Sequence, residues 1–475
     1  MIEDESIYYD KVNQNNPAFD GATYNWKLEH KKIFTGENDQ ILYKELFLLQ
    51  RRSQALIRNS PFGSNARNTY LQMLGDLTVT WVDKNNEKVP EMQAIWEEFE
   101  ENCCLDGKGN LKTLIATAHS DEFINGSSFI RFQFRPTNTT LPLKLEGISS
   151  NLHAYTYFGK DGISYPNLLK TRFGITFEDT APSIYHFFPD LWDIEDYTNL
   201  SLIDIQANEI LHNFNRIYPG QWLGIPILSS VLLIIYSIED LIDATVAKQQ
   251  AAAAITWVVK NNNPLIQSPT GSPLTVKDKD GKEKVIFRSQ GGGTQYLNRG
   301  EELNLVQSSD IGNNLADFIK HINFVISAAL GIPYHIYTGD TNGLNFSSIR
   351  SIMVEMRKKI EYIHFHQTVP NFYKPITNKV NELTRFYKPK TPKATPKFHL
   401  PRWRGVDDLK DAQADLLEVT SGLNTIENIQ EERGVTFDEV VKSFERILNS
   451  PLKVILEQGM GQSGNVEANT NSSSN

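Results

Sequence analysis

The sequence predicts an α+β protein, because two different periodicities follow one another along its first half. In residues 39–60 the apolar side chains recur at helical spacing, whereas residues 126–135 alternate with the two-residue period of a strand. A third observation is the stretch 228–259, which contains neither Gly nor Pro. Its composition favours one helix of about 45–50 Å. Helices and strands of these kinds in one chain predict a mixed architecture.

Residues 28–227 are predicted to form one α+β domain, after an aperiodic N-terminal arm at 1–27. The expected helices are 39–60, 65–74, 92–102 and 111–123, and the first of them should end at the turn-forming cluster 59–63. The expected strands are 77–82, 126–135, 153–158, 175–177, 183–188 and 209–214.

Two long helices are predicted to follow this domain, over 228–259 and 311–330. The run Ala251 to Ala254 would let a neighbouring helix approach closely, in a ring of helices or in an ordinary core. The segment between the two helices, 260–310, contains several prolines and a run of alternating charges. This composition predicts a small, loop-rich insertion.

A polar loop is predicted after the second long helix. Gly331 and Pro333 indicate the helix end, since Gly adopts the left-handed cap and Pro cannot continue the hydrogen-bond ladder. The residues that follow are rich in Gly, Asn, Thr and Asp and offer almost nothing to bury. Ser347 and Ser348 are predicted to cap a further helix from about Ile349.

The C-terminal third is predicted to be mainly helical. A helix over 349–368 should be kinked or interrupted by Pro370 and Pro375 before it resumes at 376–385. Residues 388–397 predict a linker of Pro, Lys and Thr, and the tail 461–475 predicts disorder. Three further helices are expected at 407–417, 425–434 and 436–448.

Charge and composition limit the functions open to the chain. Its 475 residues are 40% apolar and 22% charged, which is typical of a globular protein with more than one domain's worth of core. The net charge of −10 argues against a broad cationic face that grips nucleic acid. A passage along which DNA must slide without adhering is better neutral or acidic.

The cysteines and the apolar segments predict a reduced, intracellular setting without a membrane. Cys103 and Cys104 are the only cysteines, and adjacent cysteines almost never bridge each other. The acidic and polar opening, residues 1–20, predicts no signal peptide. The most apolar run, 225–238, is shorter than the roughly 20 residues that a membrane span needs.

Motifs for catalysis, metal binding or cofactor binding are not evident. The chain has no Walker A sequence, no H-E-x-x-H and no C-x-x-C, so no catalytic residue, metal or cofactor is predicted. Gly291 to Gly293 does not match a dinucleotide fingerprint and predicts a flexible loop. Ser450 to Lys453 matches S-x-x-K without its companion motifs.

Three patterns allow a functional as well as a plain interpretation. His364 and His366, two positions apart on a helix, point to different faces and are poorly placed to share a metal. The alternating charges from Lys277 to Lys284 favour a solvated hairpin tip over a patch that binds nucleic-acid phosphates. A group of acids fits a surface turn better than two-metal chemistry: Asp190, Asp193, Glu195 and Asp196.

Several segments, in matching order, resemble one family. Residues 331–350 read G-I-P-Y-H-I-Y-T-G-D-T-N-G-L-N-F-S-S-I-R. They resemble the G-[IV]-P-Y-x-x-x-[ST]-G-D…N-[YF]-S-S-x-R segment of lambda-type phage portal proteins, with Phe346 where family members usually have Tyr. Residues 49–61 resemble that family's L-x-x-R-[SA]-R-x-[LA]-x-R-N-[NS]-P, with Gln54 in place of the middle Arg.

Two more segments extend the resemblance over most of the chain. Residues 217–226 resemble the family's R-P-G-Q-x-R-G-[VI]-P junction, with Leu223 instead of Arg, and the long helix follows as it does in the family. Residues 403–412 and 422–425 loosely match W-[RK]-G-x-x-x-[DE]-x-x-K-[ED]-A…G-L-x-T. Leu409 stands where the family has Pro.

The resemblance implies a portal fold with named parts. They are a wing at 28–227, a first stem helix at 228–259, a clip at 260–310, a second stem helix at 311–333, a tunnel loop at 334–347, a long wing helix at 348–387 and a helical C-terminal wing or crown part at 388–460.

The resemblance also implies a function. Family portals are dodecameric rings at one capsid vertex of the virion, assembled in the host cytoplasm, through which double-stranded DNA is packaged and ejected. The expected partners are further copies of the chain, DNA, terminase, a head–tail adaptor and the major capsid protein. The tunnel-loop residues expected to meet DNA are Thr338, Gly339, Asp340, Thr341, Asn342, Gly343, Leu344 and Asn345. The clip residues expected to meet terminase and adaptor are Lys277, Asp278, Lys279, Asp280, Lys282, Glu283 and Lys284.

Two other interpretations remain open from the sequence. If the central helix pair is an ordinary core, the chain is a non-viral α+β scaffold protein without catalysis. If the acids at 190–196 bind metal ions, it is a hydrolase. The mass of the purified protein separates a ring from a small scaffold, and an Asp190/Asp193 double variant tests the hydrolase.

Overall fold

The computed structural model has the mixed helix and strand content that the sequence predicts. It describes residues 38–136, 139–156, 171–178, 180–189, 202–254, 257–259, 275–277, 283–285, 294–296, 311–400, 408–426, 429–430 and 437–449.

The described helices and strands follow one another as below. The α-helices are α1 (Asn38–Asn59), α2 (Pro61–Leu74), α3 (Pro90–Asn102), α4 (Leu111–Asn125), α5 (Leu232–Ala254), α6 (Ile311–Leu330), α7 (Tyr334–Thr338), α8 (Phe346–Ile363), α9 (Lys374–Tyr387), α10 (Asp408–Thr420) and α11 (Phe437–Leu448). A π-helix (His364–Tyr373) joins α8 to α9. The strands are β1 (Thr78–Val82), β2 (Ser127–Phe134), β3 (Leu143–Ile148), β4 (Thr171–Arg172), β5 (Ile175–Glu178), β6 (Ala181–Phe187), β7 (Ile203–Gln206), β8 (Ile210–Phe214), β9 (Trp257–Val259), β10 (Thr275–Lys277), β11 (Glu283–Val285), β12 (Thr294–Tyr296) and β13 (Thr395–His399).

The strands of the first domain form small antiparallel sheets. The strand β2 lies between β3 and β8, and β4 to β7 form a four-stranded sheet in sequence order. The strand β1 pairs with β13 from the other end of the chain, with Trp81 opposite Pro396. The first domain is therefore completed by a strand that follows β1 by some 300 residues in the sequence.

The largest hydrophobic core joins β1, α3, α4 and β2 to the π-helix and α9. Trp81 and Trp96 are fully buried, with ring centroids 6.1 Å apart. Phe372 and Ile376 bring the π-helix and α9 into the same core. Cys103 and Cys104 are buried in it as free thiols, as the sequence predicts.

A second core holds the two long central helices against the domain. Ile235 of α5 and Ile326 of α6 are buried together with Leu56, Phe123 and Met356. Because only the first half of α5 takes part, its residues from 243 to 250 are almost all exposed in the single chain. The two helices therefore extend outward from the core.

The junction before α5 depends on two glycines that touch. A Cβ on Gly224 would overlap the carbonyl group of Gly126, so only a residue without a side chain fits there. The buried Gln221 fixes the same turn, because its amide accepts from the Ile217 N–H at 2.7 Å and donates to the Leu223 carbonyl at 2.6 Å. The turn that contains the Pro-Gly-Gln motif thus lies where two backbone segments, at Gly126 and Gly224, cross in direct contact.

Most predicted helices are confirmed, but α2 begins earlier than expected. It starts at Pro61 and not near residue 65, so one residue separates it from α1. Ser60 is extended (φ −103°, ψ 128°), and its hydroxyl accepts from the Gly63 N–H at 3.3 Å. Pro61 fits the first helical position, where a backbone N–H would have no partner in any case.

The strand prediction for 153–158 is wrong over its described residues. His153 forms a single bridge to Phe187, and the chain turns at 155–156. Tyr155 packs against Tyr43, with ring centroids 6.4 Å apart, and this contact draws the backbone away from the sheet. The sequence analysis also missed β3, β7 and β13, and β13 occupies part of the predicted linker at 388–397.

The first long helix is shorter than predicted. A 3₁₀ turn at Ile227–Ser230 precedes α5, whose 23 residues end at Ala254 and span about 35 Å. The next described residues, Trp257–Val259, pair in parallel with Thr294–Tyr296. Aromatic and β-branched side chains favour strands, and here that preference prevails over the helical pattern before it.

The helices α8 and α9 form one continuous helical rod through the π-helix, which we call the rod (Phe346–Tyr387). The α-helical pattern is interrupted near Pro370, as predicted, but by a π-helix and not by a break in the helical backbone, and Pro375 occupies the first turn of α9. Proline lacks an N–H, so a wider turn accommodates Pro370 without ending the rod. Buried His364 and exposed His366 point apart, as predicted.

Several predictions fall outside the described residues. They concern the arm at 1–27, the glycines 291–293, the acids at 190–196, the S-x-x-K match at 450–453, the tail at 461–475 and most of the helix at 425–434. Within the described residues, no helix combines the length and apolar character needed to cross a membrane.

Candidate functional site

The polar loop begins where α6 ends at Gly331, as the sequence predicts. Gly331 has φ 71°, and the N–H of Ile332 donates to the Ser327 carbonyl at 3.0 Å. Ile332 is then buried in the second core. This arrangement satisfies carbonyl groups at the helix end and sets the direction in which the chain leaves it.

The first part of the loop is a short helix anchored on α2, which corrects the prediction that the loop has almost nothing to bury. Tyr337 is 3% exposed, and its hydroxyl donates to the Phe62 carbonyl at 3.3 Å. Burial raises the pKa of Tyr337 to about 12. Asn65 donates from its side chain to the Tyr337 carbonyl at 2.6 Å. Helix α2 therefore holds both the side-chain hydroxyl and the backbone carbonyl of Tyr337.

Asp340 ends the anchored part. Its carboxylate accepts from the Asn342 N–H at 3.0 Å and lies 3.4 Å from the ammonium group of Lys320 on α6. The hydrogen bond from Asn342, followed by the Lys320 charge, lowers the pKa of Asp340. The carbonyl of Asp340 lies 2.7 Å from Nδ1 of His335. The loop's only charge is thus paired within the same chain.

Residues 341–345, which we call the loop tip, are held much less. Thr341, Asn342, Gly343 and Asn345 are exposed, and Leu344 is half-buried. Gly343 has φ 77° with open space around it. The tip's internal backbone bond, from Leu344 N–H to the Thr341 carbonyl, is long at 3.3 Å. The tip is a small polar projection on an anchored base.

The cap of the next helix differs from the prediction. Asn345, and not Ser347 or Ser348, is the N-cap of α8: its side-chain oxygen accepts from the Ser348 N–H at 2.8 Å and from the Ser348 hydroxyl at 2.9 Å. Asn at a cap satisfies otherwise unpaired N–H groups at the helix start. Helix α8 therefore begins at Phe346, three residues earlier than expected.

The eight predicted tunnel-loop residues do not all belong to one kind of structure. Thr338 is the last residue of α7 and donates to the Tyr334 carbonyl at 2.8 Å, and Gly339 is the left-handed cap of that helix (φ 70°). Asp340 is paired, and the other five form the tip. Because the whole segment 334–345 contains no Lys or Arg, it offers hydroxyl, amide and backbone groups without a strong phosphate ligand.

The residues predicted to form the clip are described only in part. Lys277 ends β10, and Glu283 and Lys284 begin β11; the two strands pair antiparallel with Lys277 opposite Glu283. The strand ends agree with the predicted hairpin. Asp278, Lys279, Asp280 and Lys282 lie outside the described residues.

Two residues outside the loop that hold it were not predicted from the sequence. Lys320 of the preceding helix pairs with Asp340, and Asn65 of α2, distant in the sequence, donates to the Tyr337 carbonyl. Their spacing along the chain gives no sign of these contacts. The cap at Asn345 was available from the sequence, because Asn precedes the helical run by one residue.

The described residues hold no arrangement for metal chemistry. No group of three or more His, Cys, Asp or Glu among them is placed to bind an ion. What the candidate site combines is a polar tip, an anchored base and two long helices that extend from the core.

The sequence match gives the family. Residues 28–364, which include the first α+β domain, both long helices and the loop, match the family described as phage portal protein, lambda family. This chain therefore belongs to the lambda family of phage portal proteins. No curated protein matches the chain.

Chains in solved gene transfer agent (GTA) particles are similar to this one at low identity. A chain of the native GTA virion is 11% identical, with 82% of this chain and 93% of that chain covered and a TM-score of 0.43. A chain of the neck of the empty GTA particle, computed with C6 symmetry, is 11% identical, with 86% and 97% covered and a TM-score of 0.41. The family assignment rests on the sequence match alone.

Proposed function

We propose that this chain is the subunit of a closed ring, a dodecamer at one capsid vertex, through which double-stranded DNA is packaged and ejected. The observation that supports it most is the loop tip, a polar projection without cations between two long helices of a portal-family chain. Terminase, a head–tail adaptor and the major capsid protein would dock on the ring in the virion. The chain itself performs no catalysis in this proposal.

Exposed apolar side chains on the long helices support assembly. Phe318, Phe324 and Val325 on α6 are 51%, 57% and 40% exposed in the single chain, and Leu233 on α5 is 76% exposed. A monomer that left such side chains in water along two neighbouring helices would expose an extended apolar surface. Contacts of one subunit's helices with the next subunit would cover them, in the heterologous manner that closes a ring.

Assembly is tested by the mass of the purified chain in solution. The expected result is a discrete species of many times 54.0 kDa by light scattering or native mass spectrometry. A matched pair of variants, Phe324→Asp on α6 and Tyr362→Asp on α8, separates the helix contact from general surface damage; the first should shift the mass toward the monomer more. A stable monomer across physiological salt and micromolar concentration would contradict the ring and favour the scaffold interpretation.

The channel role is tested at the loop tip. Replacing Asn342 to Leu344 by a basic tripeptide should leave assembly intact, because Asn342 and Gly343 are exposed and half-buried Leu344 is not part of the second core. It should reduce DNA packaging or retention, because Lys and Arg form ion pairs with phosphate that the natural tip cannot form. A tripeptide of Ser residues is the matched control and should package normally. Unchanged packaging with the basic tip would remove the channel role.

The docking role of the clip is tested by deleting Lys277 to Lys284. A charged hairpin contributes little core, so the ring should form as before while binding to terminase or adaptor weakens. A shorter deletion of Asp278 to Lys282 with a Gly-Gly connection keeps the paired strand ends as a control. Loss of folding with both deletions would show that the insertion is structural.

A further inference from the structure

A basic segment lies at the far end of the rod from the loop tip. From Leu383 to Val406 the sequence contains seven Lys and Arg residues and no Asp or Glu, within a chain whose net charge is −10. Five of the seven are exposed in the segment from the last turn of α9 through the connecting turn to the first half of β13, which we call the basic turn (residues 385–397). They are Arg385, Lys388, Lys390, Lys393 and Lys397.

The backbone of the basic turn is fixed to the domain. The N–H of Lys388 donates to the Thr384 carbonyl at 2.7 Å, and the N–H of Thr391 donates to the Lys388 carbonyl at 3.0 Å. Near the other end, Ala394 is buried and its carbonyl accepts from the Asn381 side chain at 3.3 Å. The lysines between these points are therefore presented by an ordered turn.

The strand that follows keeps its apolar side inward. Phe398 packs against Tyr373 of the π-helix, with ring centroids 6.2 Å apart, and Ala394 is buried in the same core. Lys397, which precedes Phe398, is exposed because neighbouring side chains of a strand point to opposite faces. Pairing of β13 with β1 thus places Phe398 toward the core and Lys397 toward solvent.

The cations of the basic turn have no acidic partner among the described residues. The nearby Lys379 illustrates the contrast, since its ammonium group lies 3.0 Å from a carboxylate oxygen of Glu382. Arg385 and the four lysines form no such pair within the described part of the chain. Unpaired, exposed like charges on one short turn repel one another, and a polyanion would relieve that repulsion.

We propose that the basic turn binds the phosphate backbone of duplex DNA, at a surface separate from the loop tip. Lysine is depleted in protein–protein interfaces, whereas Lys and Arg supply most of the binding energy for phosphates. Tyr387, half exposed beside the turn, adds a hydroxyl that can donate to a phosphate oxygen. Contacts of this kind read no sequence, so binding is independent of sequence and weakens with salt.

The test compares two sets of four Lys→Gln substitutions that change the net charge equally. The first set is K388Q, K390Q, K393Q and K397Q in the basic turn. The control set is K277Q, K279Q, K282Q and K284Q, where the lysines alternate with acids. Binding of a fluorescent mixed-sequence duplex to the full chain is measured by anisotropy over a salt series.

The first set should weaken binding about tenfold or more at low salt and lower the salt slope by about 0.9 for each phosphate that the turn no longer neutralises. The control set should change the affinity by about twofold at most, since its lysines already have acids beside them. Equal weakening in both sets, or none in the first, would overturn the proposal. So would wild-type protein that binds polyglutamate but not the duplex, which would identify an acidic protein as the partner.

Two further measurements complete the test. Phe386→Ala should leave duplex binding unchanged, because the 78% exposed Phe386 ring has no base to stack on in a duplex. A decrease in affinity as large as that of the lysine set would indicate base stacking and contradict the proposal. The mass of each sample is measured alongside: a monomer whose binding still depends on the lysines refutes the ring but keeps the basic turn as a DNA surface.

Discussion

The two ends of the rod carry polar turns of opposite design. At the N-terminal end of the rod, Asp340 pairs with Lys320, and the loop tip that follows has no cation. At the C-terminal end, the basic turn presents five cations that no described acid neutralises. Helices of 18, 10 and 14 residues separate the two turns, a length of roughly 60 Å.

Under the two proposals, an acidic chain would meet DNA at two kinds of surface. A turn that lets DNA slide should lack fixed positive charge, whereas a turn that holds DNA needs it. Both turns are anchored, the first by Tyr337 on α2 and the second by Ala394 and the pairing of β13 with β1. The two turns therefore differ in charge and not in how firmly their backbones are held, and the rod separates them.

The middle of the rod is held to α4 and β8 by a buried polar network. Oε2 of Glu122 accepts from the Asn213 side chain at 2.8 Å and lies 3.2 Å from Nδ1 of His119. Nε2 of His119 lies 3.1 Å from the Thr368 hydroxyl, and Asn371 donates to the Asn213 side chain at 2.9 Å. These contacts couple the π-helix to α4 and β8.

The largest expected effect comes from removing the centre of this network. Glu122→Ala should lower the free energy of unfolding by about 3 kcal/mol or more, because it leaves buried partners without hydrogen bonds. Glu361→Ala, at an exposed position of the same rod, should stay within about 0.5 kcal/mol. Denaturant unfolding measures both. Equal, small effects would show that the rod's middle does not hold its two ends in place.

Acid should destabilise the packing of the π-helix through its first residue, His364. Burial lowers the pKa of His364 to about 4 in the folded protein, below the value of about 6.5 in the unfolded chain. The contribution of His364 is thus complete above pH 6.5 and is lost as the pH falls toward 4, by up to about 1.4 kcal/mol per pH unit.

The pH effect is isolated by two variants. His364→Gln should flatten the fall of stability between pH 6.5 and 4, while His366→Gln, at an exposed site two residues later, should leave it as in the wild type. Buried His153 and His212, whose pKa values are also lowered by burial, give a background slope of the same sign in every sample. Equal slopes for the wild type and His364→Gln would rule out this role for His364.

A smaller effect is expected at the anchor of the loop alone. Tyr337→Phe removes the hydroxyl that donates to Phe62 and should cost about 1–2 kcal/mol, since the buried carbonyl loses its partner. Hydrogen exchange should increase in residues 334–345 but not in the basic turn. If exchange rises equally at both ends of the rod, the two turns are not independently anchored.

The smallest effect is expected at the loop tip itself. Gly343→Ala should cost about 1 kcal/mol, because the left-handed φ of 77° strains a residue with a Cβ even where space is open. Gly343→Asn, a residue that tolerates this conformation better, is the matched control and should cost less. Thermal unfolding of the two variants measures the difference in stability. Identical stabilities would mean that the tip changes its backbone conformation without cost.

How far the sequence predicts these features depends on the range of the contacts involved. Local signals located α6 and its end at Gly331, the strand β2, and the family segment 331–350. The strand β13 was missed because its partner β1 lies some 300 residues away and Pro396 discouraged a strand assignment. The same limit applies to the site, where Lys320 and Asn65 reach the loop only through the fold.

The most direct test of the central claim is a single-particle electron microscopy reconstruction of the purified chain. We expect a closed ring in which the loop tip, residues 341–345, faces the central opening and the basic turn lies away from it. A monomer, or a ring whose loop tips lie on the outer surface, would rule out the proposed channel.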